Sequence, residues 1–558
     1  MKRVVYLFLI VVFAVLGFVL PSVGAPNGVL LEKRIDLLYR MDGKMTRDVM
    51  LKYEPFNKKG LAYLSELSFN SAPFVKTKFL DVRVNDRKVP YRVVKKRFAP
   101  PYGNYFRYSI ALRRVSPLDI VTIKYRQIFE FAPDGYLWGS EKLSETVRIK
   151  KIYLRFRLPV GVKLKYNKPA GFSFSDEKRG NLRVIRIEAK NIPAEYKRKV
   201  LFVYSSFSNW KDLNRWIRSK VDAVLGKTLT KGDLLGMDPL GDKWRVIRRV
   251  VERLGSVNLP MYNELPTVKP PLTVWKCRRG SLLDNSIFVL SALRRLGINC
   301  SYFFVGRRYF LKDYPPSPAL LEKMLVRFTI GGKVHWYVPP YRVCFDDFPA
   351  SAEQGREALA HVTIENLPLS PPEENYNELV AHVGLFTNGS VKGDIDVSVS
   401  GYWDKEGYNW LKDYSYRGSV QRTEDGYVYF ARYVAEFSGN KAVLTVPAFR
   451  WHFLDMLKKR LPLENGRRLI LPSTFMLKEV IEIALPKGYK VGYLPKGIEM
   501  AYDVGYLRVT FDDLGHGVRV VVLLKVYRRA IDVTASKHLA LMLAVMRDRL
   551  GRNILLAK

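Results

Sequence analysis

The stretch Arg278-Arg279-Gly280-Ser281-Leu282-Leu283-Asp284-Asn285-Ser286, continued by Leu290-Ser291-Ala292-Leu293-Arg294-Arg295-Leu296-Gly297-Ile298, decides how the chain is organised. It reads as a helix over about 282–296. Ser281 stands where an N-cap hydroxyl takes a bond from an orphan amide, and Asp284 follows three residues later, as in a capping box. That first-turn carboxylate and the closing Arg294 and Arg295 complement the helix dipole. Gly297 is placed to end the helix. Strands are expected next, at about 300–305, 325–330 and 334–338.

Upstream, Trp210, Leu213, Trp216 and Ile217 fall at helical spacing. A further helix over about 241–254 carries Trp244, Ile247, Val250, Val251 and Leu254, and a proline-rich connector follows. Before position 208 the period is two: Ile152, Leu154, Phe156 and Leu158 point one way, Tyr153, Arg155 and Arg157 the other. Turns such as Pro133-Asp134-Gly135 and Lys178-Arg179-Gly180 separate many short strands, which predicts an antiparallel β-sandwich over 27–207. From about 378 to 534 the period is two again, with a helical interlude near 451–460, and a closing helix is expected from about 535. The expected fold class is therefore multidomain α+β: an N-terminal β-sandwich, an α+β core over 208–365, a C-terminal β-sandwich over 378–534, and a terminal helix within 535–558. Leu158-Pro159-Val160-Gly161-Val162-Lys163-Leu164-Lys165-Tyr166 is echoed by Leu485-Pro486-Lys487-Gly488-Tyr489-Lys490-Val491-Gly492-Tyr493. The echo fits a duplicated sandwich unit or a favoured hairpin turn.

The ends and the composition narrow the class. Lys2 and Arg3 precede an uncharged run from Val4 to Leu20, and Pro21-Ser22-Val23-Gly24-Ala25 supplies small residues. Residues 1–25 thus read as a secretory signal or a membrane anchor, with the body secreted or anchored outside the cytoplasm. The 558 residues contain 48% hydrophobic and 13% aromatic residues, which excludes a disordered chain. Three cysteines, Cys277, Cys300 and Cys344, exclude a disulfide-rich scaffold and a four-thiolate zinc site, leaving one disulfide open. Scarce Cys and Gln beside abundant Lys and Arg is a thermophile-like composition. The six histidines are scattered, with no two at i, i+3 or i+4, and no glycine-rich phosphate loop occurs. Neither cofactor nor metal is expected.

The quoted helix resembles the transglutaminase-like superfamily, which writes R-R-G-D-C-x-D-x-A and then a helix ending A-L-x-R-x-L-G-I. Trp138, Leu158-Pro159 and Asn191-Ile192-Pro193 look like the β-rich module of unknown function that precedes such cores. Phe348-Pro349, Gln354-Gly355-Arg356 and Ala358-Leu359 look like the stretch after the family's catalytic aspartate. The resemblance implies a papain-like α+β core and a Cys-His-Asp triad, in which a helix N-terminus and an imidazole favour the thiolate. Here the cysteine's position is Leu282. The histidine's position falls at Leu325, to within one residue, and the aspartate's at Pro339. The triad is degenerate.

Two rescues stay open: Cys277 or Ser281 as a relocated nucleophile, with His335 as its base. The expected function is a catalytically inactive, extracytoplasmic protein-binding or scaffolding module with a protein or peptide partner at the cell surface. The rival is an active acyl-transfer enzyme or cysteine-type peptidase built on those rescue residues. A third reading starts from 93 Lys and Arg against 53 Asp and Glu, a net charge of +40, and makes the chain a polyanion- or anionic-membrane-binding protein. Nucleic acid is disfavoured, because the basic and aromatic alternation matches the outward faces of ordinary strands. An apolar Leu282 is expected to pack the emptied cleft.

Overall fold

The computed structural model describes residues 27–558 except 67, 113–114, 131–134, 195–199, 226–241, 258, 260–267, 404–417, 424–425, 447–451 and 465–467. The signal or anchor segment, residues 1–25, lies outside the described residues. Among those described, no helix is long and apolar enough to cross a membrane. The chain is a strand-rich, multidomain α+β protein that divides into two compact units, residues 1–344 with 357–365, and residues 345–356 with 366–558.

The first unit opens with strands β1 (Gly28–Tyr39) and β2 (Lys44–Pro55). Next come the hairpin strands β3 (Tyr91–Arg97) and β4 (Phe106–Leu112), then β5 (Arg148–Pro159), β6 (Lys165–Tyr166), β7 (Leu182–Ile192) and β8 (Leu201–Ser205). An eight-stranded sheet has β7, β5, β1 and β2 adjacent at its centre, and a smaller sheet joins β6, β8 and Trp138–Lys142. One core lies between them, with Ile35, Leu154 and Phe156 from the large sheet against Phe202 and Tyr204 from the small one. The alternation read for β5 holds at every position: Ile152, Leu154, Phe156 and Leu158 are fully buried. The module is not purely antiparallel, however, because β1 and β5 run parallel. Parallel neighbours need a crossover, and the chain makes it by passing through the second layer at Trp138–Lys142.

The rest of the first unit contains α1 (Trp210–Leu225), α2 (Lys243–Arg253), β9 (Gly255–Val257), α3 (Pro271–Cys277), β10 (Arg279–Ser281) and α4 (Leu282–Arg295). They precede β11 (Cys300–Gly306), β12 (Leu321–Ile330) and β13 (Lys333–Tyr337). The pairs β11–β12 and β12–β13 are antiparallel, so this region is not a doubly wound parallel sheet. Helices and sheet share a core in which Ile217, Ile247, Ile287 and Leu290 meet Phe304, Met324 and Val326.

In the second unit, β14 (Tyr376–Leu385) pairs antiparallel with β15 (Val391–Val399) and parallel with β16 (Phe475–Ala484). Then follow β17 (Lys490–Tyr493), β18 (Gly517–Val526), α5 (Val533–Leu550) and β19 (Asn553–Ala557). The closing segment is not a separate element. Leu539, Met542 and Leu543 of α5 belong to the unit's core, and β19, absent from the sequence reading, pairs with β17 and with Lys441–Thr445.

The two echoed sequences occupy the same place in the two β modules. Each follows the strand that lies parallel to its module's first strand, and each closes a turn with the same bond, Val162 N to Pro159 O at 3.1 Å and Tyr489 N to Pro486 O at 3.0 Å. Each then carries the chain into the smaller sheet, as β6 and as β17. They are layer crossings rather than hairpins, as expected of a repeated unit.

Candidate functional site

Helix α4 begins where the sequence placed it. The Ser281 hydroxyl accepts from the Asp284 amide at 2.9 Å, and Gly297 has φ of +67°. The second half of a capping box would return the Asp284 carboxylate to the Ser281 amide. Instead the Tyr102 hydroxyl is inserted between them, accepting from the Ser281 N–H and donating to Asp284 Oδ2. The other carboxylate oxygen accepts from the Lys269 N–H at 3.0 Å. Tyr102, Ser281 and Asp284 are all buried. Tyr102 packs edge-on against Tyr105 in a cluster with Ala72, Val75 and Leu259, so the loop between β3 and β4 lies over the start of α4.

Burial pushes the Asp284 carboxyl up to about 6, against the lowering influence of Tyr102 and the Lys269 amide. Between about pH 4 and this value the folded protein keeps a proton that the unfolded chain has released. Stability therefore falls as pH rises through that window and is flat above it. The stability advantage of the native protein over Asp284→Asn is expected to shrink by roughly 2–3 kcal/mol between pH 4 and pH 7, read from denaturant melts. An unchanged difference would mean that the carboxyl is ionised throughout.

The next turn of α4 is equally committed. Asn285 Nδ2 donates to the Gly255 carbonyl at 3.1 Å and to Ser256 Oγ at 3.2 Å, while Ser286 Oγ donates to the Met324 carbonyl at 2.5 Å. Gly280 is required, since a Cβ there would lie 2.2 Å from Asn285 Oδ1.

Leu282 is half-buried and lies outside the helix–sheet core, so the packed plug expected from the sequence is not formed. Leu325 is fully buried, but its neighbours Met324 and Val326 take the helix side of β12, which turns Leu325 to the opposite face. β12 begins at Leu321 rather than at 325, because apolar residues on both faces conceal the alternation. At that level the residue beside α4 is Met324, bonded through its carbonyl to Ser286. Pro339 is buried directly after Val338, past the end of β13.

The rescue residues are placed as follows. Cys277 is exposed at the end of α3, with β10 between it and α4. His335 is buried and stacks on the ring of Trp244, from α2, with 4.3 Å between centroids. The Ser281 hydroxyl is the N-cap. None of the three cysteines is in a disulfide, and burial raises the Cys300 pKa. No group of three or more His, Cys, Asp or Glu that could hold a metal occurs among the described residues. Sequence reasoning missed Tyr102 and Lys269, because nothing local links either of them to α4.

No family model matches the sequence, and no curated protein matches it. Among solved structures, a protein from Parabacteroides distasonis described as a "putative protease" is similar over 95% of this chain and 99% of its own, with 14% identity and a TM-score of 0.60. An M1 zinc metallopeptidase from Deinococcus radiodurans overlaps 33% of this chain and 43% of its own, at 13% identity and a TM-score of 0.20. Leukotriene A4 hydrolase from Saccharomyces cerevisiae overlaps 32% and 29%, at 12% identity and a TM-score of 0.21. These two partial overlaps define no common fold. The likeness to the Parabacteroides distasonis protein is one of fold, a multidomain, strand-rich α+β architecture spanning nearly the whole of both chains.

Proposed function

We propose that the chain is a transglutaminase-like protein without a working triad, exported from the cytoplasm and serving as a protein-binding or scaffolding module. The observation that carries this reading is the start of α4, where Leu282 supplies no nucleophile and the neighbouring Ser281 hydroxyl is engaged as the N-cap. The antiparallel sheet after α4 is consistent with the papain-like core that the resemblance implies.

The name of the Parabacteroides distasonis protein makes peptide hydrolysis the rival. It would need Cys277 or Ser281 to work with His335, and the surroundings of all three weigh against it. The test is incorporation of a fluorescent amine into a glutamine peptide, and peptide hydrolysis, by the full-length chain. No turnover is expected; turnover abolished by His335→Ala would overturn the reading. Relative alkylation rates do not discriminate, since Cys277 is exposed while Cys300 and Cys344 are half-buried. Cys277 is expected to alkylate at the rate of free cysteine, whereas an activated thiolate reacts faster at neutral pH.

Leu282→Cys is expected to remain inactive in the same assays. The helix terminus favours a thiolate, but Leu325 and Pro339, at the places of the histidine and the aspartate, supply neither a base nor an orienting carboxylate. Leu282→Ser is expected to cost less than about 1.5 kcal/mol in a denaturant melt, because the leucine is only half-buried.

A further inference from the structure

A cavity of about 390 Å³ lies beside the β3–β4 hairpin, β9 and β10. One wall carries Lys96, Arg97 and Arg107 from the hairpin, and the other carries Arg279 of β10 and Arg342 from the loop after Pro340. No carboxylate lines it among the described residues. Lys96, Arg97, Arg279 and Arg342 have no ion pair with any described residue.

Several features set the positions of the cations around the cavity. Lys96 and Arg107 are direct cross-strand partners, a like-charge pairing that weakens a hairpin. The Arg107 guanidinium lies 5.6 Å from the Phe98 ring and that of Arg97 5.8 Å from Phe106, contacts that orient a cation. Arg279 is paired across from Gly255 on the neighbouring strand β9, which fixes its backbone at the rim of the cavity. Charges along β3 alone would be explained as protection of an edge strand. That explanation does not reach Arg279 and Arg342, which come from other elements to the same cavity.

We propose that this cavity binds a compact, soluble organic anion carrying two phosphate groups. One phosphate sits against Lys96, Arg97 and Arg107 and the other against Arg279 and Arg342. Arginine forks suit phosphate oxygens, Phe98 offers an apolar surface to the carbon framework between them, and the Ser256 hydroxyl adds a hydrogen bond. The concave, half-open shape suits a small ligand. The assignment does not rest on the reading of α4 as an emptied site.

The test is calorimetric titration of the full chain with fructose 1,6-bisphosphate and fructose 6-phosphate as probes. The bisphosphate is expected to bind at least ten-fold more tightly, with affinity falling as salt rises. The double variant Arg279→Ala, Arg342→Ala should lose that advantage, while Lys163→Ala, Lys178→Ala, an equal loss of charge elsewhere on the first unit, should keep it. All four side chains are exposed, so truncation leaves the core untouched. Equal binding of the two sugars, or equal weakening in both double variants, would reduce the site to diffuse charge and overturn the proposal. Retention on vesicles bearing a bisphosphorylated lipid headgroup, without binding of the soluble bisphosphate, would overturn it too.

Discussion

Glu141→Ala is expected to destabilise the first unit by about 3–5 kcal/mol, read as a lowered midpoint in thermal or denaturant unfolding. Glu141 is only 3% exposed and reaches from the smaller sheet to Arg47 on β2, through Nε–Oε1 and Nη2–Oε2 bonds of 2.8 Å each. Arg47 Nη1 also donates to the Tyr125 hydroxyl at 3.1 Å and to Gln127 Oε1 at 2.9 Å. Burial alone would lower the Arg47 pKa, yet Glu141 and Tyr125 hold it well above the usual arginine value. Removing the carboxylate leaves a guanidinium between two sheets without its counter-charge. The double variant Arg47→Met, Glu141→Leu should recover most of the loss, because it removes both desolvated charges together. A loss below about 1 kcal/mol for Glu141→Ala would place the pair with ordinary surface ion pairs.

Tyr102→Phe is expected to cost about 2–4 kcal/mol while leaving the fold intact. A single oxygen is removed, and two groups lose their partner: the buried Ser281 N–H and Asp284 Oδ2. Each orphaned buried polar group costs about 1–3 kcal/mol. Ordinary side-chain trimming in an aromatic cluster would cost less. The companion measurement is hydrogen exchange at the Ser281 amide, which should be well protected in the native protein and should exchange much faster in the variant. An unchanged exchange rate would mean that water or another group already satisfies that amide.

Both predictions concern contacts invisible to the periodicity that located the elements. Lys33 makes the same point. It is 5% exposed, points inward on β1, donates to the Lys142 carbonyl at 2.9 Å and pairs with Glu145. Alternation assigns charged residues to the outside of a strand. Lys33 and Arg47 depart from that rule because the smaller sheet brings carboxylates and carbonyls to meet them. In the second unit Arg529 does similar work, bonding the Leu471 carbonyl at 2.8 Å and the Gln354 carbonyl at 2.6 Å.

The start and end of α4, the buried face of β5, the two β-rich stretches and the α+β region between them were legible in the amino-acid sequence. Caps, turns and periods of 2 and 3.6 depend on residues within about four positions of one another. The parallel pairs β1–β5 and β14–β16, the final strand β19, the face taken by Leu325 and the sharing of Asp284 with Tyr102 were decided by tertiary structure. So were the Arg47–Glu141 pair, 94 residues apart, and the gathering of Arg279 and Arg342 opposite the β3–β4 hairpin. Each depends on strand register and on crossings between layers, which bring together residues that no local pattern relates.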